Sequence, residues 1–178
     1  VFTAIDPNLI DNFEDSNGIY NTNDSLTDVG YTLSQSGAFA RTTTRPFQES
    51  FSLECNTGSD SQQVRATPGS TNLPQFPTRG EKFAFEVYLD NSDSGVVLDF
   101  FSDNTFDNGL RYWIARNGWF FQTRTNGTDN TVYDSAANTP KGEFLTVEIS
   151  SDSSTVTART FDQADNLLDV YQETTSIN

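Results

Sequence analysis

In the stretch 82–90, KFAFEVYLD, apolar Phe83, Phe85, Val87 and Leu89 alternate with Lys82, Glu86, Tyr88 and Asp90. A period of two sends successive side chains to opposite faces of a strand, whereas a helix would need apolar residues every three or four positions. The same alternation runs through 95–101, GVVLDFF, where Val96, Leu98 and Phe100 can turn inward while Val97, Asp99 and Phe101 turn outward. It recurs at 50–54, 110–116, 119–125, 143–150, 155–161 and 167–172, and less markedly at 31–34, 39–43, 62–66 and 131–134. Gly, Asn, Asp and Pro separate these runs, and no helical period competes with them. About eleven short strands with short turns imply an all-β fold, a two-sheet antiparallel jelly-roll sandwich.

The chain has 178 residues, 15 of them Phe, enough to give one such sandwich a core. A single domain over 1–178 is expected, with residues 1–10 as an N-terminal arm or linker. Three of the six prolines, Pro68, Pro74 and Pro77, fall within 67–80. Proline cannot serve a central hydrogen-bond ladder, so this segment reads as a loop crossing between sheets. No run of about 18 apolar residues is present, so no membrane insertion is expected. No charged-then-apolar leader opens the chain and it contains no Met, so it reads as a mature product or an excised domain.

Charge narrows the setting. With 25 acidic against 10 basic residues the net charge is -15, and Lys82 and Lys141 are the only lysines. An acid-rich, lysine-poor surface is expected of a halophilic protein, because concentrated salt screens its self-repulsion. A merely acidic secreted domain is the plainer alternative. Either way the field repels nucleic-acid phosphates and anionic membranes, so no nucleic acid is expected as a partner. Cys55 is the only cysteine, which rules out an internal disulfide; its strand-like setting suggests a small buried side chain. Histidine is absent, which removes Ser-His and Cys-His nucleophiles and the commonest zinc ligand.

The segment 110–125, LRYWIARNGWFFQTRT, carries the most chemistry. Asn117-Gly118 suits a two-residue type I′ turn, in which both residues take positive φ. That turn would place Trp113 opposite Gln122 and Arg111 opposite Arg124. Leu110, Tyr112, Ile114, Trp119 and Phe121 would then face the core. Arg111, Trp113, Ala115, Phe120, Gln122 and Arg124 would share the other face. Two arginines directly opposite each other repel, so an acidic neighbour is expected. Glu86 or Asp99 could supply it if their strands adjoin the hairpin, which would gather Glu86, Tyr88, Asp99, Arg111, Trp113, Gln122 and Arg124 on one face. Such a mixture suits a sugar: an aromatic ring stacks on the C–H side of a pyranose, while carboxylate, guanidinium and amide grip its hydroxyls. The bland alternative is a solvated face with an Arg–carboxylate network. An exposed Trp tips the reading towards binding.

Three loops invite a calcium ion. The sequence 90–95, DNSDSG, starts like a calcium loop, but Phe101 stands where a bidentate acid is needed, so a hairpin turn is expected. The segment 103–109, DNTFDNG, has two carboxylates and two amides and is again better read as a turn. The opening LIDNFEDSNG clusters Asp11, Glu14 and Asp15. Asn23 in NDS and Asn126 in NGT are glycosylation sequons in expected surface loops.

LIDNFED, then SFSLE, GEKFAFEVYL and EFLTVEISSDSSTVTARTFDQADNLL resemble concanavalin A-like (laminin-G-like) jelly-roll domains, in the acidic version found in extracellular proteins and viruses of halophilic archaea. The resemblance implies a structural calcium, with Glu14 at the first position and Asp162 or Asp165 at the later one. It also implies a glycan-binding, glycan-cleaving or purely structural role. The Glu-x-Asp-x-Glu strand motif of glucanases with this architecture is missing; Glu81 and Glu86 have the wrong spacing, and Tyr88 with Arg111 is the pair that keeps a lyase open. The expectation is therefore a non-catalytic, lectin-like adhesion or receptor-binding domain. It would sit outside the cell, on a cell surface or on a virion, with glycans as partners. The alternative is a structural subunit of a filament, surface layer or capsid decoration. Such a subunit would self-associate through protein contacts, for example by an arm of residues 1–10 added to a neighbour's sheet.

Overall fold

The computed structural model describes residues 13, 25–34, 39–44, 52–55, 64–65, 82–90, 95–101, 107–115, 118–135, 139–151 and 155–174. The chain divides into two compact units, Val1–Phe76 and Pro77–Asn178. Every segment expected to be a strand overlaps one of the twelve strands among the described residues, and the described sheets are antiparallel throughout. The expected arm at 1–10 and the proline-rich loop at 67–80 lie outside the described residues.

In the first unit, β1 (Thr32–Leu33) pairs with β4 (Val64–Arg65), and β2 (Phe39–Thr42) pairs with β3 (Ser52–Cys55). A turn ahead of β1 buries Leu26 and Val29 against Phe13, Tyr31, Leu33, Phe39, Leu53 and Val64. Asp28 closes that turn by accepting from the backbone N–H and hydroxyl of Ser25, bonds that hold its carboxyl below the usual range. Cys55 corrects the expectation of burial: it ends β3 and is exposed.

The second unit is a two-layer sandwich. Its strands are β5 (Lys82–Tyr88), β6 (Gly95–Phe101), β7 (Gly109–Ala115), β8 (Gly118–Thr125), β9 (Thr128–Ser135), β10 (Phe144–Ser151), β11 (Thr155–Phe161) and β12 (Leu167–Thr174). One sheet runs β6-β7-β8-β9, a plain meander, and the other runs β12-β11-β10-β5. Leu110, Tyr112, Ile114, Trp119 and Phe121 from the first sheet meet Leu145, Val147, Ile149, Val156, Ala158 and Tyr171 from the second in one core. The period-two pattern thus assigned the buried faces correctly, because one face of each strand had to leave water.

Polar contacts tie the layers as well. The hydroxyls of Tyr112 and Thr160 meet at 2.7 Å inside the core. The Tyr133 hydroxyl donates to Asp169 Oδ1 at 2.7 Å, and the Tyr133 ring stacks on Tyr171 at 4.6 Å between centroids. Where β6 crosses close to β7, Gly95 has a φ of +149°. A β-carbon there would collide with the Ile114 carbonyl oxygen and lie 2.9 Å from Ala115 Cα.

Candidate functional site

The β6–β9 sheet holds five of the seven residues expected to act together, Asp99, Arg111, Trp113, Gln122 and Arg124, but its register differs from the expected one. Ala115 pairs with Gly118, Ile114 with Trp119, Trp113 with Phe120, Tyr112 with Phe121 and Arg111 with Gln122. The connection is therefore residues 116–117 rather than Asn117-Gly118. Sidedness survives because the two strands slide by two residues relative to each other, an even number that leaves the same residues on each face. The observed register spares Arg111 and Arg124 the directly opposed position: Arg124 pairs with Gly109 instead.

The type I′ turn belongs to Asn126-Gly127. Asn126 and Gly127 take φ values of 49° and 76° between the closing pair Thr125 and Thr128. The Asn126 N–H donates to Asn108 Oδ1 at 3.1 Å and the Gly127 N–H to the Asp107 carbonyl at 2.9 Å. Asp107 and Asn108 thus hold this hairpin, while 103–106, the rest of the expected turn, lie outside the described residues. The turn also fixes β9, so that Arg124 pairs with Asp129 and Gln122 with Thr131.

Asp129 is the acidic neighbour of the two arginines. Arg111 Nη1 bonds its Oδ2 at 2.8 Å and Arg124 Nη1 its Oδ1 at 2.7 Å. The expected partners were Glu86 and Asp99. Asp99 pairs with Arg111 across β6 and β7. Glu86 and Tyr88 lie in the opposite sheet, because the chain crosses layers between β5 and β6 and β5 pairs with β10. There Glu86 accepts from the Thr146 hydroxyl, and Tyr88 packs edge-on against Phe144 at 5.2 Å. Partial burial, with the nearby charge of Asp165, pushes the Glu86 carboxyl up.

Trp113 stands at the centre of the face, 36% exposed, whereas Trp119 is 1% exposed in the core. Trp113 Nε1 donates to Gln122 Oε1 at 2.9 Å, and Gln122 Nε2 donates to Thr131 Oγ1 at 2.9 Å. The Arg111 guanidinium lies 5.9 Å from the Trp113 ring centroid. The indole is therefore held in one orientation by its neighbours while part of its surface meets water. Asp129 and Thr131 were missed in the sequence. Applying the Asn-Gly rule at 126–127 would have found both, since it pairs 124 with 129 and 122 with 131.

Of the residues implied for calcium, Glu14 lies outside the described residues, as does Asn23. Asp162 shapes the turn between β11 and β12. Its Oδ1 accepts from the N–H of Ala164 and of Asn166, and its Oδ2 from Asn166 Nδ2. Those bonds, chiefly from Asn166, hold its carboxyl below the usual range. Asp165 occupies the left-handed position of the same turn, with φ 62°. Among the described residues no three His, Cys, Asp or Glu side chains converge on a metal position. Neither a family model nor a curated protein matches the chain, so this face stands on its own geometry.

Proposed function

We propose that this chain is a non-catalytic, lectin-like domain that binds carbohydrate on the outer face of the β6–β9 sheet. The observation that carries the reading is Trp113: a large apolar ring left partly in water yet fixed in place through Gln122 and Thr131. A surface Trp without a partner is an exposed apolar liability, whereas a fixed one is a platform for the C–H face of a sugar. Arg111, Arg124 and Asp129 beside it are locked to one another, so donors and acceptors are oriented before a ligand arrives. The proposal includes the concanavalin A-like resemblance and an extracellular, cell-surface or virion setting. It also includes the structural calcium that this resemblance implies.

A glycan array probed with wild type and Trp113→Ala tests this reading. Loss of binding with an unchanged melting temperature is expected; a Trp113→Ala variant that binds as well as wild type would overturn it.

A structural subunit is the second reading, favoured by Leu167 and Val170, which are 53% and 49% exposed on β12. Strand addition at β12 is opposed by two features of that strand. The ladder with β11 is interrupted by a bulge at Thr160/Phe161, and Asp169 points inward to Tyr133. Both are devices by which edge strands resist pairing with another chain. A contact through the outer side chains would remain, and light scattering of wild type against Leu167→Ser/Val170→Ser would detect it.

A further inference from the structure

We infer that the ligand of the Trp113 face is an uncharged saccharide, and that the Thr131 hydroxyl donates a hydrogen bond to it. This rests on the glycan-binding reading and specifies its substrate class.

The direction of the hydrogen-bond chain follows from chemistry. An indole N–H can only donate, so the group that meets Trp113 Nε1 must be the Gln122 carbonyl oxygen. The Gln122 amide nitrogen then points the other way and donates to Thr131 Oγ1. With its oxygen accepting from Gln122, the Thr131 hydroxyl has its own proton to give outward. Thr131 is exposed on β9, beside the aromatic platform. A sugar oxygen laid alongside Trp113 is a fitting acceptor for that proton.

Charge sets the class. The two guanidiniums of the face share the carboxylate of Asp129, and exposed Asp134 pairs with Phe120 in the row that contains Trp113. With Asp99 opposite Arg111, the face sets two guanidiniums against three carboxylates, within a chain of net charge -15. A uronate or sulfate would have to take an arginine from Asp129 and approach against the field of the whole protein. A neutral sugar meets neither obstacle.

The test uses immobilised neutral polysaccharides, a glucan, a mannan and a galactan, against alginate and a sulfated galactan. Binding of wild type, Thr131→Val and Thr131→Ser is measured at about 0.15 M and about 1 M salt, since exposed charge interactions fade over that range. Binding to a neutral polymer is expected, changing less than about twofold with salt. Thr131→Val should weaken it about three- to tenfold at an unchanged melting temperature, and Thr131→Ser should retain it. Preference for an anionic polymer, lost at high salt, would overturn the inference while leaving glycan binding in place. Neutral binding that Thr131→Val leaves untouched would overturn the role of Thr131. Binding to none of the polymers would remove the glycan reading itself.

Discussion

Trp113 donates its indole N–H to Gln122 Oε1 at 2.9 Å although the two residues are diagonal neighbours, each paired directly with another residue. Phe120 stands opposite Trp113, and Gln122 stands opposite Arg111. The diagonal bond lays the indole across the sheet and leaves one aromatic platform next to one charged network.

Asp129 bridges both arginines of the network. Replacing Asp129 with Asn removes both ion pairs and leaves Arg111 and Arg124 without it. These groups are partly exposed, so each pair is worth at most about 1 kcal/mol. Chemical denaturation of Asp129→Asn should show a loss of about 1 kcal/mol, shrinking as salt is added. An unchanged midpoint would mean that solvent replaces both contacts at no cost.

Gly95 is required by its close approach to β7. Gly95→Ala must displace the backbone at Ile114 and Ala115, and its φ of +149° is unfavourable for alanine. A destabilisation of about 1–3 kcal/mol is expected from such crowding. A melting temperature equal to wild type would show that β6 can shift away.

The buried Tyr112–Thr160 pair can be separated from mere loss of a contact. Tyr112→Phe leaves the Thr160 hydroxyl buried alone and should cost about 1–3 kcal/mol, whereas Tyr112→Phe/Thr160→Val should recover most of that. Burial also pushes the Tyr112 hydroxyl far above the ordinary tyrosine range. Burial and the bond to Asp169 raise Tyr133 as well. A raised tyrosine pKa means that the folded state holds its proton after the unfolded state has released it. The stability from these groups is thus fully present below about pH 10, the unfolded value, and is lost as pH rises above it. Denaturation at pH 8 and pH 11 should show the loss, and a smaller one in Tyr112→Phe.

The architecture was readable because burial enforces alternation: in 82–88 and 155–161 the pattern decides which face of the strand turns inward. The hairpin register was less readable. Asn-Gly pairs stand at 108–109, 117–118 and 126–127, at nine-residue intervals, and sliding β7 against β8 by the observed two residues exchanges no side chain between core and solvent. Hydrophobic pattern therefore cannot choose between the registers; the repulsion of Arg111 and Arg124 can. Asp129 and Thr131 escaped notice because the start of β9, Thr128–Thr131, is exposed and polar throughout, with no apolar alternation to announce a strand. Glu86 was misplaced because neighbours in sequence need not be neighbours in a sheet: β5 joins β10 across four intervening strands.

Salt and calcium act on the whole chain. With a net charge of -15, the melting temperature should rise from dilute buffer to molar salt as repulsion is screened. A flat or falling series would contradict a halophilic surface. Calcium that binds the native state alone should raise the melting temperature further, and chelator or Glu14→Gln should abolish that increment. If all three conditions melt alike, the calcium site is absent.

The central claim is that Trp113 meets the sugar, and tryptophan fluorescence reads it directly. The chain has two tryptophans, of which Trp119 is buried and Trp113 is exposed, so acrylamide quenching reports chiefly on Trp113. Quenching should be measured with and without a saccharide identified on the array. A fall in the quenching constant on saturation, absent in Trp113→Phe, is the expected result. A saccharide that binds while the quenching of Trp113 stays unchanged would contradict the account.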